Sequence, residues 1–168
     1  PPVNKRKVTV MSHVFLISGA SRGLGRAIVE AALAAGHHVV AGVRSVSALD
    51  DLAAREPERL AVVPLDVTDD EQVRGAIDTA IQRWGRVDVL VNNAGYANMA
   101  AVEDVDVDDF RAQVETNFFG VVRLTQAVLP LMRRQRAGHI IQISSVGGRL
   151  ARPGLAAYQS AKWAVTGY

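Results

Sequence analysis

Short, almost unbroken apolar runs alternate along the chain with longer stretches in which apolar residues recur every three or four positions. The runs are His13–Ser18 (HVFLIS), His38–Val43 (HVVAGV), Leu60–Leu65 (LAVVPL), Val87–Val91 (VDVLV) and His139–Ile143 (HIIQI). Each has the length of a strand, and continuous apolarity fits strands covered on both faces. Pro64 marks the end of the third strand or a sheet edge, because proline cannot donate to a ladder. After the first run, Leu24, Ala27, Ile28, Ala31, Ala32 and Ala35 predict a helix that Gly36 ends. A short helix is expected over 46–55. Thr68 and Glu71 have capping-box spacing and open a helix through Val73, Ala76, Ile77, Ala80, Ile81 and Trp84, closed by Gly85.

The next helix is long. Asp104, Asp106, Asp108 and Asp109 gather at its start and Arg133, Arg134 and Arg136 at its end, which suits the helix dipole. Phe110, Val114, Asn117, Val121, Leu124, Val128 and Leu131 lie on or near one face, and Pro130 should kink or weaken the last turns. Strands alternating with helices predict an α/β fold, a parallel sheet with helices on both faces in three α/β/α layers.

Composition narrows the field. At 168 residues and 49% hydrophobic content the chain is one domain with a sizeable core. The net charge of +2 comes from 19 basic and 17 acidic residues scattered together, so no nucleic-acid-binding stripe is formed. With no cysteine, disulfides and thiol chemistry are excluded, and a cytoplasmic location fits. No run is long enough to span a bilayer. His13, His37, His38 and His139 lack metal-ligand spacing and read as structural or solvated. The leading PPVNKRKVTV, with Lys5, Arg6 and Lys7, has no apolar core of a secretory signal. Met11 is a candidate start, with residues 1–10 a tail and 11–168 the folded domain.

In an open parallel sheet, ligands bind beyond the carboxyl ends of the strands. There the chain carries Gly19, Gly23 and Gly25 between the first strand and its helix, a cradle that lets a pyrophosphate approach a helix N-terminus. The second strand ends in Arg44 instead of the carboxylate that accepts a ribose 2′-hydroxyl, and Arg22 sits in the glycine turn. Two cations and no carboxylate favour a 2′-phosphate, hence NADP(H) over NAD(H). Asn92-Asn93-Ala94-Gly95 follows the fourth strand and Ser144-Ser145 the fifth. Tyr158 and Lys162 are one helical turn apart, which sets a phenol beside an ammonium.

Together these segments resemble the short-chain dehydrogenase/reductase family: SGASRGLG for its T-G-x-x-x-G-x-G, NNAG, the helix asparagine Asn117, Ser145 and Tyr158-x-x-x-Lys162. The offset of 13 positions from Ser145 to Tyr158 singles out Ser145 over Ser144. The resemblance implies a Rossmann-type doubly wound sheet. It also implies hydride transfer between nicotinamide and a small-molecule carbonyl or alcohol. Tyr158 would be the acid/base and Ser145 would orient the substrate oxygen. Lys162 would favour the phenolate and hold the nicotinamide ribose, and Asn117 would support a proton relay. The cofactor would lie against Gly19, Ser21, Arg22, Gly23, Leu24, Gly25, Arg44, Asp66, Val67, Asn93, Ala94 and Gly95, besides Tyr158 and Lys162. Asp66 reads equally as an adenine contact or a loop-capping carboxylate. Phe118 and Phe119 read as core or subunit contacts, and Tyr96 as a pocket border or an exposed aromatic.

The match covers roughly the first two-thirds of a family member. The fold is therefore expected to stop after the fifth strand and the start of the helix that follows. That strand becomes an apolar edge, and the helix after Tyr158 runs for about three turns. A homodimer or homotetramer is implied for a complete protein. Sterol or retinol dehydrogenation and 3-ketoacyl reduction are not separated by these residues. A non-catalytic NADP-binding sensor and an inactive, truncated subunit are the alternatives.

Overall fold

The computed structural model describes residues 12–168; the tail expected over residues 1–10, and Met11, lie outside the described residues. Five strands form one parallel sheet: β1 (Val14–Ser18), β2 (His38–Val43), β3 (Leu60–Pro64), β4 (Val89–Asn92) and β5 (His139–Gln142). Their order is β3-β2-β1-β4-β5, so the order reverses between β1 and β4. That is where the doubly wound fold opens its ligand crevice. Pro64 satisfies both of its readings, as the last residue of β3 on an edge strand.

Successive residues of the central strands face opposite layers, which is why the runs are apolar throughout. Leu16, Val40 and Leu90 join one core with Val73, Ile77, Leu124 and Val128, from α3 (Asp70–Trp84) and α5 (Gly120–Gln135). Ile17, Val39, Ala41 and Val91 join the other with Val29, Leu33 and Leu52, from α1 (Gly23–Ala34) and α2 (Asp50–Arg55). Burying each of these Val, Leu and Ile side chains stabilises by about 1.5–3 kcal/mol. At the edge, β5 pairs only with β4 and leaves Ile141 45% exposed.

Several boundaries differ from the sequence reading. The helix expected over 46–55 begins as a 3₁₀ turn, Val46–Leu49, before α2. The cap of α3 is Asp69, which accepts from the Glu71 and Gln72 amides at 2.8 and 3.1 Å. Thr68 therefore does not form the expected capping box; its hydroxyl donates to Asp66 Oδ1 at 2.7 Å. A carboxylate one residue later takes the Glu71 amide that a Thr68 cap would have needed, and starts the helix one residue on. The long helix starts as α4 (Val107–Val114), capped by Asp106, and continues as α5 to Gln135. It passes through Pro130 without ending. A wide π turn that contains Asn117 lies at Glu115–Phe119. The last helix, α6 (Ala156–Gly167), begins two residues before Tyr158. Among the described residues no helix is long and apolar enough to cross a membrane, and no group of three or more His, Asp or Glu could hold a metal.

Candidate active site

The site is assembled from the β1–α1 turn outward. The helices α3 and α4 have side-chain caps, but α1 has none, and no acidic residue lies in its first turn. Its leading N–H groups thus face the crevice with the positive end of the dipole and no internal partner. Gly19 has φ of +66°, and a Cβ on Gly25 would lie 2.3 Å from the Gly19 carbonyl oxygen. Only glycines let the turn fold this tightly onto itself.

The turn is fastened to β4 by Ser18, which is fully buried. Its hydroxyl accepts from the Asn93 and Ala94 amides, both at 3.1 Å, while Asn93 Nδ2 donates to the carbonyls of Ser18 and Gly19, each at 3.0 Å. The NNAG segment and the glycine turn are therefore one rigid unit. Sequence reasoning noted Ser18 only as a threonine replacement. The small hydroxyl at the end of β1 is the signal for this tie.

A cleft of about 590 Å³ opens above this unit. Gly19, Ser21, Arg22, Gly23, Leu24, Gly25, Arg44, Asp66, Val67, Asn93, Ala94 and Gly95 all line it. Val43, Ser45, Ala48, Leu65, Tyr96 and Thr116 line it as well and were not assigned from sequence, apart from Tyr96 as a possible border. Asp66 lines the cleft and also caps its own loop, accepting from the Thr68 amide at 2.9 Å. Arg22 and Arg44 are exposed on the wall and have no side-chain partner among the described residues. A dinucleotide fits this donor set: uncapped amides over the glycine cradle, and two unpaired guanidinium groups at the mouth.

Asn117 and Lys162 stand just beyond Gly95; none of Asn117, Ser145, Tyr158 and Lys162 lines the cleft itself, and Ser145 opens onto a second cavity with Ser144, Val146 and Tyr168. A Cβ on Gly95 would lie 2.6 Å from Asn117 Oδ1 and 3.7 Å from Lys162 Nζ. Asn117 is buried and grips the Tyr96 backbone, with Oδ1 accepting from the amide at 2.9 Å and Nδ2 donating to the carbonyl at 2.8 Å. Lys162 is also buried; its Nζ donates to the Ile143 carbonyl at 2.7 Å and lies 5.8 Å from the centre of the Tyr158 ring. Burial holds its pKa below the ordinary 10.5.

Ser145 Oγ accepts from the Gly147 amide at 3.0 Å. A Cβ on Gly147 would lie 3.5 Å from Ser145 Oγ and 3.5 Å from Tyr158 Cε1, so Gly147 stands between the hydroxyl and the phenol ring. Ser144 turns the other way, towards Thr166 Oγ1 at 2.9 Å. Phe118 is half-buried and Phe119 is 45% exposed.

Comparison with known proteins accounts for this arrangement. The family model described as short chain dehydrogenase matches residues 13–168. The chain belongs to the short-chain dehydrogenase family. It is 55% identical over 159 residues to the oxidoreductase BOA17 of Botryotinia fuckeliana, covering 94% of this chain and 58% of that protein. It is 39% identical to a 3-ketodihydrosphingosine reductase of Bacteroides thetaiotaomicron, over 93% of this chain and 55% of that one. The crystal structure of a short-chain dehydrogenase from Streptomyces avermitilis superposes with a TM-score of 0.88 at 44% identity, over 94% of this chain and 58% of the other. The short-chain dehydrogenase region present here thus spans somewhat more than half the length of these relatives.

Proposed function

We propose that the protein is an NADP(H)-dependent oxidoreductase that interconverts a carbonyl and an alcohol. The observation that carries the reading is the grouping of Ser145, Tyr158 and buried Lys162 beside Gly95, a residue that lines the glycine-cradled cleft. A sensor needs the cradle but has no use for a phenol held beside a hydroxyl and a cation.

When bound, the nicotinamide supplies the hydride. The chain's part is binding, orientation and proton handling. The uncapped amides of α1 and Gly19–Gly25 hold the pyrophosphate, and Arg22 and Arg44 hold the 2′-phosphate. Ser145 donates a hydrogen bond to the substrate oxygen and orients it. Tyr158 gives that oxygen its proton in reduction and takes it back in oxidation. Lys162 stabilises the phenolate left behind, and it is placed for this by its bond to the Ile143 carbonyl. Asn117 fixes the Gly95–Tyr96 backbone between cleft and catalytic group and supports the relay of protons to solvent.

The same reading makes residues 11–168 a single dinucleotide-binding domain of a cytoplasmic protein with a small-molecule substrate. Assembly of the whole protein into a homodimer or homotetramer uses the α5–α6 side, where Phe119 and Trp163 are 45% and 52% exposed.

Fluorescence titration with NADPH and NADH tests the cofactor assignment. Each arginine–phosphate bond contributes about 1.5–3 kcal/mol, so NADPH should bind at least about tenfold more tightly. Equal affinities would remove the NADP assignment. Turnover of a carbonyl panel with NADPH tests the reaction.

A further inference from the structure

The wide turn that carries Asn117 needs an explanation, because nothing in ETNFF itself forbids a regular helix. In an unbroken α-helix, residues eight apart are separated by about 12 Å of rise and about 80° around the axis. Arg123 would then meet Phe119 and Gly120, its neighbours at the preceding turn, and neither carries a charge. Instead its guanidinium reaches across the whole π turn and pairs with Glu115, the first residue of that turn. In the π register the two side chains meet, and a regular helix would set them about 80° apart around the axis.

A second contact fixes the same guanidinium from outside. Arg123 Nε lies 3.3 Å from Asp70 Oδ1, on the first residue of α3. The Arg123 side chain is 29% exposed, against 40% for Glu115, so the pair is partly screened from water. Inside the turn, the Asn117 side chain makes two hydrogen bonds among the described residues, both to the Tyr96 backbone. Slipping the helix by one residue towards the regular register would rotate Asn117 by about 100° and break both.

We infer that Arg123 is a positioning residue: gripped by Glu115 and Asp70, it holds the π turn that aims Asn117 at the Tyr96 backbone beside the catalytic group. The kinetic consequence rests on the oxidoreductase reading above; the structural one does not. The direct readout is hydrogen exchange at the Tyr96 amide, which Asn117 Oδ1 protects. In Arg123→Gln this amide should exchange about fivefold faster, the size set by a partly exposed ion pair. The amides of Leu16 and Val91 should be unchanged. Glu115→Gln, which breaks the pair from the other side, should give the same shift, and Arg123→Lys, which keeps the cation, should restore most of the protection.

In turnover of a carbonyl with NADPH, Arg123→Gln should lower kcat by a similar factor, leave the KM for NADPH unchanged, and cost nothing further in an Asn117→Ala background. Unchanged exchange at Tyr96 in Arg123→Gln, or a full additional loss of kcat on Asn117→Ala, would overturn the assignment. If the wild-type protein turned over no carbonyl, the oxidoreductase reading would fail while exchange at Tyr96 still decided the role of Arg123.

Discussion

Lys162 should be retained at a cost to stability, and Lys162→Met exposes that cost. The side chain is 4% exposed, and its ammonium has one acceptor among the described residues, the Ile143 carbonyl at 2.7 Å. No carboxylate faces it within ion-pair distance among those residues. Removing an ammonium from water costs several kcal/mol even after relaxation, whereas one charged hydrogen bond returns only about 1.5–3 kcal/mol. Methionine keeps the length and the apolar stem and removes the charge. At about pH 7 the variant should therefore lie between unchanged and about 2 kcal/mol more stable, although buried substitutions usually lose about 1 kcal/mol.

The sign of the pH dependence follows from the lowered pKa of Lys162. Below its folded pKa, Lys162 is charged in both states and the burial cost is fully present. Between that value and the unfolded value of about 10.4, the unfolded chain binds more protons, so wild-type stability rises with pH. Methionine has no proton to lose, so the advantage of the variant should shrink as pH rises. Urea unfolding at about pH 7 and about pH 9.5 measures both quantities. A variant that was less stable than wild type by about 2 kcal/mol or more, equally at both pH values, would refute the reasoning.

Two other substitutions test the frame around the site. Gly25→Ala would drive its Cβ to 2.3 Å from the Gly19 oxygen and 2.5 Å from Asn93 Nδ2, destabilising by about 1–3 kcal/mol and abolishing the rise in Tm on adding NADPH. Gly75→Ala, where nothing lies within 4 Å, should instead stabilise α3 by about 0.5–1 kcal/mol and leave that rise intact. Asp106→Ala removes the cap that accepts from the Asp108 and Asp109 amides at 2.7 and 3.2 Å, and chemical denaturation should show a loss of about 1 kcal/mol.

The apolar runs predicted all five strands: β1, β2 and β4 are buried on both faces, and a two-sided core leaves a plain mark on a sequence, while β5 keeps an apolar run although it is an edge with Ile141 45% exposed. The glycines that line the cleft were legible for a related reason. Glycines that must approach the Gly19 carbonyl, or the Ala94 backbone, tolerate no other residue. Features decided by competition were harder to read. Thr68 and Asp69 both have cap chemistry, and only the chain geometry gives the amides to Asp69. The π turn was hidden because Phe110, Val114, Asn117 and Val121 keep a helical spacing whether the turn is regular or wide. Its signal was a charge pair eight residues apart, Glu115 and Arg123, which periodicity does not register. The anchor of Lys162 is a backbone carbonyl, and sequence does not say which carbonyl a lysine will find.

The central claim is that Tyr158 moves the proton while the rest of the site binds and orients. Tyr158→Phe removes one oxygen and leaves the ring, the Ser145 neighbourhood and the cleft in place. The direct measurement is NADPH oxidation with a carbonyl substrate, run beside NADPH titration on the same preparations. The account predicts that Tyr158→Phe binds NADPH with wild-type affinity and loses at least about a hundredfold in kcat, the lower bound for a positioned acid/base. Turnover by Tyr158→Phe at the wild-type rate, with NADPH bound normally, would contradict it.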